Sequence, residues 1–175
     1  MSEKKIEDII NGFIASTDDK GKLEFAKTSM ECVSYLRESD ITLVDKGNGF
    51  WNGVYKGEDI CVINAYITEN DCLGFDIFME PPSAWRTPPG GGGNEEVVFQ
   101  VDGRIKKIVW DNIRYCDPTC KGKCSPGKQI EILGKTFDKV CKCTLGIYFI
   151  DTEILECVKK MVDERKSDIK NSLTR

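Results

Sequence analysis

Cysteines are the residues in this chain whose type and spacing could do chemistry. Cys116, Cys120 and Cys124 recur at every fourth position, and Cys141 and Cys143 follow after a stretch typical of one strand and a turn. Thiolates bind Zn²⁺ strongly, and four of them complete a tetrahedral site. The spacing predicts a zinc site formed by Cys116, Cys120, Cys124 and Cys141. Cys143 is an alternative fourth ligand, because positions 141 and 143 share one face of a strand.

Other states of these thiols remain open. The C-x3-C-x3-C spacing is not a named signature, and the C-x2-C pair of common zinc and redox motifs does not occur in the chain. Pro118, Gly122, Pro126 and Gly127 allow the tight turns that a metal loop needs. Free or partly buried thiols, a redox disulfide and an iron–sulfur cluster are the alternatives to zinc.

Composition narrows the functional classes. The chain has 175 residues, nine cysteines, no histidine and a net charge of −4. Without histidine, Ser-His-Asp catalysis, Cys-His catalysis and histidine metal sites are excluded, and a thiolate site favours structural over catalytic zinc. The negative charge argues against general nucleic-acid binding. No apolar run reaches the roughly 18 residues of a membrane span, and the acidic start lacks a signal peptide, so we expect a cytoplasmic protein with reduced thiols.

Apolar periodicity and turn residues outline the elements that must position these side chains. Helices are predicted over 3–15, through 30–36 from a start near 22, over 95–99 and 102–114, and from 152 on, with the tail fraying after residue 166. Strands are predicted over 41–44, 50–56, 60–67, 73–80, 129–133 and 145–150. The expected fold is a single α+β domain spanning 1–175. It would contain an antiparallel meander, helices packed on one face, and a cysteine-rich loop over 116–143.

Aromatic residues suggest a ligand surface. Trp51 and Tyr55 share one face of their strand. The Pro- and Gly-rich segment 81–94 is expected to be a mobile loop, and it carries Trp85, which could close over that face. The alternative is that Trp51 belongs to the core. Asp76 and Glu80 alternate with apolar residues on one strand, which gives an acid–base hypothesis that has no histidine partner.

Segments 108–116, 124–128, 133–141 and 152–160 resemble a group of small, cysteine-rich bacterial proteins of the clostridial type, which have no established activity. The tryptophan-containing strand, followed by Lys-Gly and an apolar strand, is similar in style to YdhG-like domains of unknown function. The second resemblance implies an α+β fold with a curved antiparallel sheet and a ligand-binding surface by analogy.

Together these features predict a cytoplasmic, zinc-stabilised module that binds a small molecule or a protein partner, more in keeping with binding than with catalysis. A thiolate-dependent or metal-dependent enzyme is one alternative. A metal or redox sensor, whose cysteine loop orders on binding, is another.

Overall fold

The computed structural model of the chain describes residues 5–87, 100–116 and 127–174, and of residues 142 and 143 only the backbone. The described helices are α1 (Ile6–Ser16), α2 (Lys20–Glu38), α3 (Gly103–Asp111) and α4 (Thr152–Leu173). The described strands are β1 (Thr42–Gly47), β2 (Phe50–Tyr55), β3 (Glu58–Ile67), β4 (Leu73–Met79), β5 (Arg86–Thr87), β6 (Ile113–Tyr115), β7 (Lys128–Ile132) and β8 (Lys135–Ile147). Helices combined with antiparallel strands confirm the predicted α+β class.

The chain forms two compact units that alternate along the sequence. The first unit runs to Ile77 and resumes over Ile147–Val162, and the second comprises Phe78–Gly146 and the residues from Asp163. That the whole chain acts as a single domain stays a prediction. None of the helices in the described ranges combines the length and apolar character that crossing a bilayer requires.

In the first unit, consecutive strands lie side by side in the order β1, β2, β3 and β4, as expected for a meander. α1 packs against α2 and β3, and α2 also contacts β1. α1 buries Ile6, Ile10 and Phe13, which recur at helical spacing. Asp19 is the N-cap of α2, since its side chain accepts a hydrogen bond from the backbone N–H of Lys22 at 2.9 Å.

In the second unit, β8 pairs antiparallel with both β6 and β7, and β7 pairs with the short strand β5. Asp102 is the N-cap of α3, and its carboxylate accepts a hydrogen bond from the backbone N–H of Arg104. The indole N–H of Trp110 then donates to the carbonyl of Ile132 at 2.9 Å, which fixes α3 to the end of β7.

Several predicted boundaries are wrong. Within the segment 81–94, residues Ser83–Trp85 form a 3₁₀ turn that leads into β5, because Arg86 and Thr87 pair with β7. Residues 88–94 and the predicted helix over 95–99 lie outside the described ranges. β8 is far longer than the strand predicted from 145, because β6 and β7 supply it with hydrogen-bonding partners.

The C-terminal helix also differs from the prediction. α4 continues to Leu173 and does not end near residue 166. Ile169 is buried, and Asp168 accepts hydrogen bonds from both the backbone N–H and the hydroxyl of Ser83. These contacts join positions distant in sequence and hold the last turns in place.

Candidate functional site

A cavity of about 360 Å³ lies in the first unit beside Trp51. Its walls come from α1, from the β1–β2 hairpin and from the end of β3. The residues around it are Ile9, Asp45, Gly47, Asn48, Gly49, Trp51, Ala65, Tyr66 and Ile67. Most of this lining is apolar, and Asp45 is the one charged residue among its described members. The volume falls in the range of about 300–1,000 Å³ typical of small-molecule sites.

Strand register brings Asp45 beside Trp51. The two residues are Cα partners across β1 and β2, and Trp51 is in turn the partner of Ile63 on β3. Directly opposite residues of antiparallel strands project from the same face, with Cβ atoms about 5 Å apart. A carboxylate and an indole therefore stand next to each other on the same wall.

The hairpin turn closes one end of the cavity. Gly47, Asn48 and Gly49 all have positive φ, and the backbone N–H of Ala65 donates to the carbonyl of Gly49 at 2.8 Å. A Cβ added to Gly49 would lie 2.7 Å from the Ala65 carbonyl oxygen, so glycine is required there. The turn therefore packs directly against β3, and this contact fixes the position of that end of the cavity.

A second, larger cavity of about 820 Å³ adjoins the first and shares the side chains of Ile9 and Ile67 with it. It follows α1 towards the start of α2 and the β3–β4 turn. Its other walls are formed by Asp8, Gly12, Phe13, Ser16, Thr17, Asp18, Asp19, Lys22 and Asp71. Among the residues that the structure describes, four carboxylates against one ammonium make this end acidic.

The predicted ligand-binding aromatics are all buried. Trp51 is 4% exposed and borders the cavity, so the core and pocket interpretations both describe part of its environment. Tyr55 is 6% exposed and does not line either described cavity. Trp85, in the second unit, is 2% exposed, and its carbonyl accepts from the backbone N–H of Leu133. Its placement is that of a packed core residue, and its role as a lid stays a prediction.

The carboxylates of the acid–base hypothesis have separate partners. Asp76 is buried, and the side-chain amide of Asn64 donates to it at 3.2 Å. Burial raises the pKa of Asp76, and the Asn64 hydrogen bond partly offsets that rise. Glu80 instead pairs with Arg86 at 3.1 Å. Each carboxylate thus has a structural contact of its own.

The five predicted zinc ligands are only partly described. Cys120 and Cys124 lie outside the described ranges, as does the side chain of Cys143, while Cys116 and Cys141 are half-buried and free. Among the residues whose side chains the structure describes, no three His, Cys, Asp or Glu groups are close enough to hold a metal ion. Zinc binding therefore stays a prediction.

Cys116 and Gly127, the described residues on either side of the segment 117–126, have defined positions relative to β8. The backbone N–H of Cys116 donates to the carbonyl of Lys139 at 2.6 Å. A Cβ added to Gly127 would lie 2.7 Å from the Cβ of Cys116. Residues 116 and 127 are therefore neighbours, and both lie against β8, the strand that carries Cys141.

Three other cysteines are buried in the first unit. Burial raises the pKa of Cys61 and of Cys157 to about 12, and it raises the pKa of Cys32 further. A thiol with so high a pKa carries almost no thiolate at neutral pH, so these residues are packing groups and not nucleophiles.

Comparison of the chain with protein-family models, with curated proteins and with solved structures finds no match. The helices and antiparallel strands define the α+β class, and the candidate site rests on the geometry described above. Sequence analysis identified Trp51 but missed Asp45, Ile9 and Tyr66. The Gly-Asn-Gly turn was the available signal, because it fixes which β1 residue faces Trp51.

Proposed function

We propose that the chain is a small-molecule-binding module whose site is the cavity beside Trp51. The observation that carries this proposal is a largely apolar cavity with a carboxylate and an indole side by side on one wall. An apolar pocket with a few convergent polar groups is the common form of a ligand site. The backbone NH–CO contact between Ala65 and Gly49 gives the cavity a rigid end.

Zinc belongs to the proposal as a structural metal of the cysteine segment. Its support is the closeness of residues 116 and 127 to each other and to β8, the strand that carries Cys141. A metal that holds a short loop stabilises the fold without taking part in chemistry. Metal analysis of protein purified without chelator tests this part, and about one zinc per chain is expected.

The remaining parts of the proposal concern the cellular location of the protein and the placement of its helices. A cytoplasmic location is supported by the described cysteines, all of which are free. We also propose that the helices share one face of the sheet, which the packing of α1 on β3 and of α2 on β1 supports within the first unit.

Amide chemical-shift titration tests the cavity as a binding site. The probes are indole, hexanol, hexamethylenediamine and adipate, which differ in shape and charge. At least one should shift resonances of residues around Trp51 in a saturable manner. If all four leave those resonances unchanged at millimolar concentration, the proposed function is wrong.

A variant that fills part of the cavity tests whether the ligand binds there. Ala65 is fully buried and lines the cavity, so Ala65→Leu should occupy part of the space and weaken binding about tenfold or more. Val62→Leu is the control, because Val62 lies on the other face of the same strand. Equal binding by both variants would place the ligand elsewhere.

A further inference from the structure

The two adjoining cavities together suggest the chemistry of the ligand, an inference that rests on the proposed function. They meet at Ile9 and Ile67, which wall both of them. The border that the two cavities share is thus apolar. Trp51 with Asp45 stands on one side of this border, and the acidic cavity along α1 lies on the other.

On both sides, carboxylate oxygens remain that accept no hydrogen bond from a described residue. Asp45 uses one oxygen to accept from the backbone N–H of Gly47, and Asp8 and Asp19 each use one for a backbone N–H near a helix start. Their second oxygens have no hydrogen bond within the described ranges. Asp18 and Asp71 make no side-chain hydrogen bond or ion pair to any other described residue. Among the described residues of the cavity walls, Lys22 is the only basic one.

The spacing of these carboxylates disfavours a metal ion. A divalent cation needs several oxygens within about 2.5 Å of one point. No three acidic groups of the described residues come together in that way. Carboxylates on either side of an apolar border instead match a cation whose charges are themselves separated. An indole next to a carboxylate is also a favourable place for an ammonium group, through cation–π attraction.

We propose that the paired cavities bind a linear aliphatic diammonium compound. One ammonium group lies between Asp45 and Trp51, the methylene chain passes between Ile9 and Ile67, and the second ammonium group lies among the carboxylates along α1. The negative potential of such a cleft also attracts cations and repels anions before contact.

Isothermal titration calorimetry with a homologous series, from tetramethylene- to octamethylenediamine, tests the inference. Hexylamine, hexanol and adipate serve as monocationic, neutral and dianionic comparisons. The best diamine should bind about tenfold or more tightly than hexylamine, because only the diamine places a charge at both ends. Affinity should peak at one chain length, and adipate should not bind.

Two variants separate specific contacts from general attraction to an acidic protein. Asp45→Asn keeps an oxygen to accept from Gly47 and should reduce diamine affinity to that of hexylamine. Glu58→Gln removes one exposed charge of the same unit outside both cavities, and it should bind the diamine as the wild type does.

Several results overturn the inference. Equal affinity for diamine and hexylamine, equal losses in the two variants, or tighter binding of Ca²⁺ or of oligolysine would each do so. If diamines fail while indole or hexanol binds beside Trp51, the ligand class is wrong and the proposed site stands. If no probe binds there, the proposed function fails as well.

Discussion

Replacing Trp51 by alanine measures how much this residue, which borders the cavity, contributes to the stability of the core. A buried tryptophan removes roughly 150–250 Å² from water, worth about 4–6 kcal/mol at about 25 cal/mol/Å² as an upper figure. Measured costs for removing large aromatic side chains are about 3–5 kcal/mol. Trp51 is almost wholly buried but borders a cavity on one side, so it has fewer packing contacts with other side chains to lose. We expect Trp51→Ala to lower the free energy of unfolding by about 3 kcal/mol.

Urea denaturation followed by far-UV circular dichroism is the assay, with Trp85→Ala as the matched comparison. Trp85 is equally buried but borders neither described cavity, so its loss should reach about 5 kcal/mol. A Trp51 loss as large as that of Trp85 would mean that no cavity adjoins Trp51. A loss below about 1 kcal/mol would mean that Trp51 is not packed at all.

Three further predictions concern other parts of the chain. The folded-state pKa of Asp76 is raised, so its ionised form costs stability above that pKa and the cost disappears as the pH falls; Asp76→Asn should therefore stabilise the protein at pH 7 and lose this advantage in acid, whereas a stabilisation independent of pH would contradict the assignment. A double-mutant cycle of Ser83→Ala and Asp168→Asn should give a coupling energy of about 1–2 kcal/mol, and additive losses would show that this contact does not hold α4. In native protein, thiol labelling with mass mapping should leave three buried cysteines unmodified until denaturant is added, and rapid labelling of any of them would contradict their burial: Cys32, Cys61 and Cys157.

Local patterns were enough to predict several elements. The apolar spacing of Ile6, Ile10 and Phe13 fixes α1, and the Gly-Asn-Gly turn fixes the β1–β2 hairpin. In both cases the signal lies within a few neighbouring residues and agrees with the final packing, so no distant contact is needed to decide the structure.

Elements that depend on distant partners were not predictable in the same way. The length of β8 comes from pairing with β6 and β7, and the persistence of α4 comes from the contact of Asp168 with Ser83. Taken by itself, a polar, lysine-rich sequence predicts a frayed helix end or a turn. Tertiary contacts then override the local preference.

The candidate site, too, could be predicted only in part from the sequence. Strand alternation places Trp51 and Tyr55 on one face, and both are indeed buried. Alternation does not reveal whether a helix fills the space above that face. Here α1 leaves a volume open beside Trp51 and none that Tyr55 borders among the two described, so only one of the two aromatics reaches the site.

Fluorine NMR of protein labelled with fluorotryptophan tests the central claim most directly. The chain has three tryptophans, and Trp→Phe variants assign their resonances. During titration with hexamethylenediamine, the Trp51 resonance should shift and saturate while those of Trp85 and Trp110 stay in place, and Asp45→Asn should weaken the response. A shift at Trp85 or Trp110 with none at Trp51 would contradict the account, because the ligand would then bind away from the cavity.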